Sequence, residues 1–288
     1  MDRGVGSDRS ERETVADGGV DTETAPSSRA SGEESSDAGG RTGDRSLDVT
    51  GQAIVVGIGI GVGVFAYLLV GMLTDALSGA AVSVIGEPGT ILGRTLETVG
   101  LGLGMVTGAG VYLVVFDRGL EYVDLRRPSR RAMGYVLAAV LVSFATSMTV
   151  TTLVEILEFE AARSGSEGGE QVPALYLVLM ALSIGIIGPA EELVYRNVVQ
   201  KSIAEAVSLP VGIGVATVVY VAVHVPALFL GGGSVTAVLP AVVVLTVLSV
   251  ALGMSYARTE NLVVPALAHG LYNALLFGTD YLWAIGLL

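Results

Sequence analysis

Two adjacent glutamates and an arginine, Glu191, Glu192 and Arg196 in "GPAEELVYRN", interrupt a stretch otherwise suited to lipid. The sixteen residues before it, "VPALYLVLMALSIGII", carry no charge. The chain's two histidines, His224 and His269, lie in equally apolar surroundings, "VVYVAVHVPALFL" and "VVPALAHGLYNALLF". Ionisable groups at membrane depth are costly and mark a functional site, a substrate path or a proton route. Glu192 and Arg196, four residues apart, share a helix face and suit a buried ion pair. Glu191 is turned by about 100° from Glu192 and has no cation on its own helix. Its remaining partners are the two histidines, a metal or a proton, and a carboxylate so placed is a usable general base. Tyr220 stands one turn before His224 and Asn273 one turn after His269, giving each histidine a same-face neighbour.

The elements that must position these groups follow from composition. The chain of 288 residues is 51% hydrophobic and 15% charged, too apolar for an ordinary soluble domain. Its apolar blocks exceed the roughly 18 residues at which a membrane-spanning helix becomes the default. The expected fold is all-α and polytopic, with about seven spans near 52–74, 96–116, 132–156, 173–200, 211–230, 234–255 and 261–280. There is no cysteine, which excludes disulfides, thiolate chemistry and thioether or thioester lipid anchors. Residues 1–48 are polar and acidic, cannot bury enough surface to fold, and predict a disordered tail. Residues 49–131 form a glycine-rich hairpin with a basic connection, and 132–288 the segment that carries the polar groups. Gly57 with Gly61, Gly59 with Gly63, and Gly100, Gly104 and Gly108 are spaced for close helix packing.

Arginine and lysine set the expected orientation. The second connection, "DRGLEYVDLRRPSRR", holds five arginines; the fourth holds Arg196 and Lys201, and the sixth Arg258. The first and third hold only Arg94 and Arg163, whereas Arg41 and Arg45 precede the first span. The N-terminus and the even connections are therefore expected in the cytoplasm, in a multi-pass protein of the cell membrane. Counted from the cytoplasmic helix ends at about 1.5 Å per residue, Glu191 lies roughly 14 Å deep, His224 roughly 20 Å and His269 roughly 12 Å. One polar pocket open toward the cytoplasm is consistent with these depths.

"EELVYR", "YVAVH" and "HGLYN" fit Glu-Glu-x-x-x-Arg, Phe/Tyr-x-x-x-His and His-x-x-x-Asn. In order and spacing the chain resembles the CAAX-processing and bacteriocin-processing (CPBP, or Abi) intramembrane proteases, which include the type II CAAX prenyl endopeptidases. The resemblance covers about residues 130 to 280. It implies peptide-bond hydrolysis within the membrane. Glu191 would activate the attacking water with help from His224, while His269 and Asn273 would stabilise the oxyanion. Glu192, Arg196 and Tyr220 would support the site. A base, a second polarising group and donors on another helix are the parts of an acyl-hydrolysis site, so the residues agree with that implication.

Metal dependence stays open at this point. Glu191, His224 and His269 could hold zinc with an open position, and a glutamate-activated water without metal serves equally. The expected partners are the bilayer and a peptide or membrane-protein substrate, lipidated or not, with no nucleic acid. Two other readings stand beside the protease: a non-proteolytic family member acting as immunity factor or scaffold, and an ion- or proton-coupled transporter.

Overall fold

The computed structural model describes residues 47–85, 91–158, 172–230 and 234–288. The expected tail lies outside these residues except for Leu47 and Asp48, as do Arg41, Arg45 and Arg163. Among the described residues the chain is all-α. Its long helices are α1 (Val49–Ile85), α2 (Ile91–Val115), α3 (Arg130–Ile156), α4 (Pro173–Ala206), α5 (Leu209–Leu230), α6 (Val235–Thr259) and α7 (Val263–Ala284). The first six are long and apolar enough to cross a membrane. α7 is diluted by His269, Asn273 and Asp280 within its 22 residues. Large apolar side chains such as Leu68, Met72, Val114, Leu137 and Val218 are exposed, as helices solvated by lipid require. The chain is a multi-pass membrane protein.

Local sequence explains the helix starts. Ser129 caps α3 by accepting a hydrogen bond from the Ala132 N–H, and Ser234 does the same for α6 through Ala237. Pro173 opens α4, where a missing N–H costs nothing. Two helices outrun their expected ends: α1 continues to Ile85 past Thr74 and Asp75, and α4 to Ala206 past Gln200. These polar residues mark a fall in hydropathy, but no proline breaks either helix there.

Close glycine packing is confirmed along α2. A Cβ on Gly100, Gly104 or Gly108 would stand 3.0, 2.7 or 2.6 Å from Thr74, Val70 and Ala66 of α1. In α1 itself, Gly59 and Gly63 face Ile203 and Val219, but Gly57 and Gly61 meet nothing within 4 Å. That second α1 pair lies on an outward face and packs no helix.

The second connection docks onto the ends of α4, α6 and α7. The Asp124 N–H donates to Asn197 Oδ1 at 3.1 Å, and its carbonyl accepts from the Leu262 N–H at 2.8 Å. The Asp124 carboxylate takes Lys201 Nζ at 2.9 Å and the Tyr256 hydroxyl. Asn261 Nδ2 donates to the Arg126 carbonyl at 2.9 Å. Lys201 also sits over the Tyr122 ring, 4.2 Å from its centre, and burial holds the Tyr122 phenol above its ordinary range. The basic connections therefore meet at one end of the bundle. The start of α1 joins them, since Leu47, Arg118 and Glu205 line a common cavity of about 240 Å³.

This docking corrects the depth count. Asp124 holds Asn197 of α4 level with Leu262, the residue before α7, so the helix ends are not coplanar. From that level Glu191 is six residues inward and His269 seven, roughly 9 to 10 Å each. On the other side, Gly212 of α5 abuts the Gln200 carbonyl, 2.6 Å from where a Cβ would be. Counted from there, Tyr220 lies level with Glu192, and His224 is one turn deeper.

Candidate active site

α4 does not pass through the site as a uniform α-helix. Pro189 lacks an N–H, and its ring conflicts with the carbonyl four residues back. The turn over Ser183–Ile187 widens into π-helix, and the Gly188 N–H reaches the Ser183 carbonyl. A second π-helical stretch covers Leu193–Gln200. Gly188–Glu192 is thus one α-helical turn between two widened ones, a distortion frequent at functional sites. Here α4 crosses α7 backbone to backbone. A Cβ on Gly188 would lie 2.5 Å from the Ala266 carbonyl oxygen, and one on Gly270 2.7 Å from Ile184 Cα. No side chain fits between them, and His269, beside Gly270, is carried directly to α4.

A buried polar chain crosses four helices at this point. Arg196 Nε donates to Glu192 Oε2 at 2.7 Å, and His269 Nδ1 bonds Glu192 Oε1 at 2.9 Å. Arg196 Nη2 continues to Ser249 Oγ at 3.1 Å, and Ser249 donates to Thr217 Oγ1 at 3.1 Å. Glu192 and Arg196 are 0% exposed, so neither charge is screened by water. The expected Glu192–Arg196 pair is present, but Glu192 has a second bond that the sequence did not suggest. Because a carboxylate only accepts, the proton of a neutral His269 is assigned to Nδ1. Nε2 then faces the Tyr220 hydroxyl at 3.5 Å.

Glu191 is 5% exposed, and its Oε2 is buried with no hydrogen-bond partner among the described residues. It lies within Coulombic reach of His269, Tyr195 and Tyr220. His224 is half-buried; its Nδ1 donates to the carbonyl of Tyr220 at 2.7 Å, which leaves Nε2 free. The Tyr220 ring stands between the histidines, 4.4 Å from the ring of His224 and 6.1 Å from that of His269. Asn273 is half-buried, and no hydrogen bond joins it to another described residue. The structure brings Glu191, Glu192, Arg196, Tyr220 and His269 together. It holds His224 one turn away behind Tyr220.

The zinc set considered from the sequence does not fit this arrangement. Among the described residues no three His, Asp or Glu side chains converge as a metal site. Both histidines have Nδ1 engaged and Nε2 open, so the misfit lies in the lack of convergence and not in the donors themselves.

Several residues of this architecture were not singled out from the sequence. Ser249, backed by Thr217, takes Arg196 Nη2, yet hydroxyls are frequent in membrane helices and give no positional signal. Asn197 and Lys201 were legible in principle, since Asn197 follows Arg196 directly and Lys201 is the chain's one lysine.

Residues 173–275 match the family model described as type II CAAX prenyl endopeptidase, Rce1-like. Over that segment the chain is similar to the type II CAAX prenyl endopeptidases of the CPBP family. The matched segment runs from the start of α4 into α7 and contains the whole polar chain, with α1 to α3 outside it. The family match supports endopeptidase action within the membrane as the general activity. No curated protein and no solved structure matches the chain.

Proposed function

We propose that the chain hydrolyses a peptide bond near the cytoplasmic face of the membrane, with residues 132–288 as the protease core. The observation that carries this is Glu191 Oε2, buried without a partner beside a histidine fixed from another helix. Glu191 removes a proton from water as the water oxygen bonds to the substrate carbonyl carbon. It then returns that proton to the leaving nitrogen as the C–N bond breaks. His224 Nε2 accepts the water's second hydrogen. His269, held by Glu192 at Nδ1 and donating through Nε2 as the imidazolium, and the Asn273 amide face the oxygen on which charge develops. The substrate is a peptide or membrane-protein segment, lipidated or not, that reaches the pocket from the cytoplasmic side.

Glu191→Gln keeps the shape and removes the base. With a farnesylated CAAX peptide as probe, it should abolish cleavage and leave the melting temperature within about 2 °C; retained cleavage refutes the proposal. One observation favours a non-proteolytic lock instead: the chain Thr217–Ser249–Arg196–Glu192–His269 ties four helices together. On that reading Glu192→Gln would lower stability, and Glu191→Gln, outside that chain, would change neither stability nor any cleavage.

A further inference from the structure

Tyr195 is wholly buried, and its hydroxyl has no hydrogen-bond partner among the described residues. A buried hydroxyl left unpaired costs about 1–3 kcal/mol, so its retention calls for a partner. It follows Glu191 by four residues, the spacing at which Glu192 and Arg196 meet at 2.7 Å one position along. Glu191 and the Tyr195 phenol lie within Coulombic reach of each other. The phenol cannot swing elsewhere, because its ring stands edge-on to Tyr220 with centres 5.1 Å apart and planes at 90°. The Tyr220 ring packs in turn against the His224 ring at 4.4 Å, and its hydroxyl faces His269 Nε2 at 3.5 Å.

Two orphaned groups thus stand one turn apart on one face of α4: an O–H donor at Tyr195 and a carboxylate acceptor at Glu191 Oε2. They do not bond each other directly. A donor and an acceptor that converge without meeting are the partners a bridging water needs.

We propose that Tyr195 is a further catalytic residue, whose hydroxyl donates to the water that Glu191 deprotonates. This rests on the hydrolytic reading above. The water oxygen accepts the Tyr195 proton on one lone pair and attacks the carbonyl carbon with the other. One of its hydrogens points at Glu191 Oε2 and passes there as the C–O bond forms. Tyr195 keeps its own proton throughout, so it aims the water without consuming an acid or a base.

The test is Tyr195→Phe in the full-length protein, assayed on the farnesylated CAAX peptide. The expected result is a 10- to 100-fold fall in kcat, with KM within twofold and an unchanged or higher melting temperature. A merely structural tyrosine would lower the melting temperature and spare kcat. 4-Aminophenylalanine at 195 restores a donor and should recover most of the lost rate; 4-methylphenylalanine fills the same space without one and should not. That pair also serves if the phenylalanine variant fails to fold. A kcat within twofold of the parent for Tyr195→Phe or for 4-methylphenylalanine overturns the proposal. If Glu191→Gln stays active, the hydrolytic reading fails first; if Glu191→Gln is inactive and Tyr195→Phe is not, only the role of Tyr195 falls.

Discussion

Replacing Gly188 with alanine tests whether the α4–α7 crossing positions the site. The added Cβ would stand 2.5 Å from the Ala266 carbonyl oxygen and 2.8 Å from the Gly270 nitrogen. Both are backbone atoms, so relief requires the helices to part by about 1 Å to reach ordinary contact. Overpacking of this kind costs about 1–3 kcal/mol. The same movement stretches the 2.9 Å bond between His269 and Glu192 past hydrogen-bonding range. A buried bond to a charged group is worth about 1.5–3 kcal/mol, which brings the total to about 2.5–6 kcal/mol. At roughly 2–4 °C per kcal/mol for a chain of this size, the melting temperature of the purified protein should fall by about 10 °C. Below that transition, peptide cleavage should fall at least tenfold because His269 has left its place. Gly185→Ala is the control, three residues earlier on α4 with nothing within 4 Å of its added Cβ. The reasoning fails if Gly188→Ala melts and cleaves like the parent, or if Gly185→Ala is equally damaging.

Glu192→Ala leaves Arg196 charged, wholly buried and short of its carboxylate, and should cost about 3–5 kcal/mol. Adding Arg196→Met should recover part of that loss in the same melting experiment, which a pair of independent contacts would not allow. Because the described acids and histidines form no three-residue metal set, exhaustive dialysis against a chelator should leave the cleavage rate within twofold. A tenfold loss restored by zinc would place a metal in the mechanism. The chain has no cysteine, so single cysteines report sidedness cleanly. Cysteine at Arg127 or Arg258 should react with an impermeant thiol reagent only from the cytoplasmic face, and cysteine at Leu157 only from the opposite face.

The helices and the Glu192–Arg196 pair were legible because each depends on one segment. A span needs about 20 apolar residues in succession, and an i, i+4 pair needs only helical periodicity. What escaped the sequence depends on how two segments sit against each other. The depth count assumed that α4 and α7 end at one level. Asp124 instead levels Asn197 with Leu262 and leaves the last turns of α4 projecting beyond the start of α7. Counting from Gln200 and Asn261 already sets Glu192 and His269 eight residues in, but it could not show the approach of His269 to Glu192 across the helices. Its lateral cause, the meeting of Gly188 with Gly270, was equally silent, since glycine is common along these helices and only the crossing distinguishes these two.

That crossing changes what the second glutamate is for. An intrahelical pair with Arg196 alone would stiffen α4 and leave His269 to be positioned by packing. Glu192 uses one carboxylate oxygen for Arg196 and the other for His269. The arginine therefore offsets the negative charge that the histidine needs beside its Nδ1. The same bond fixes the imidazole tautomer, so Nε2 is the nitrogen left to face Tyr220 and the pocket. The two carboxylates then differ by connection rather than by type. Glu192 has both oxygens bound within the protein, whereas Glu191, a third of a turn away, keeps a buried oxygen without a partner among the described residues.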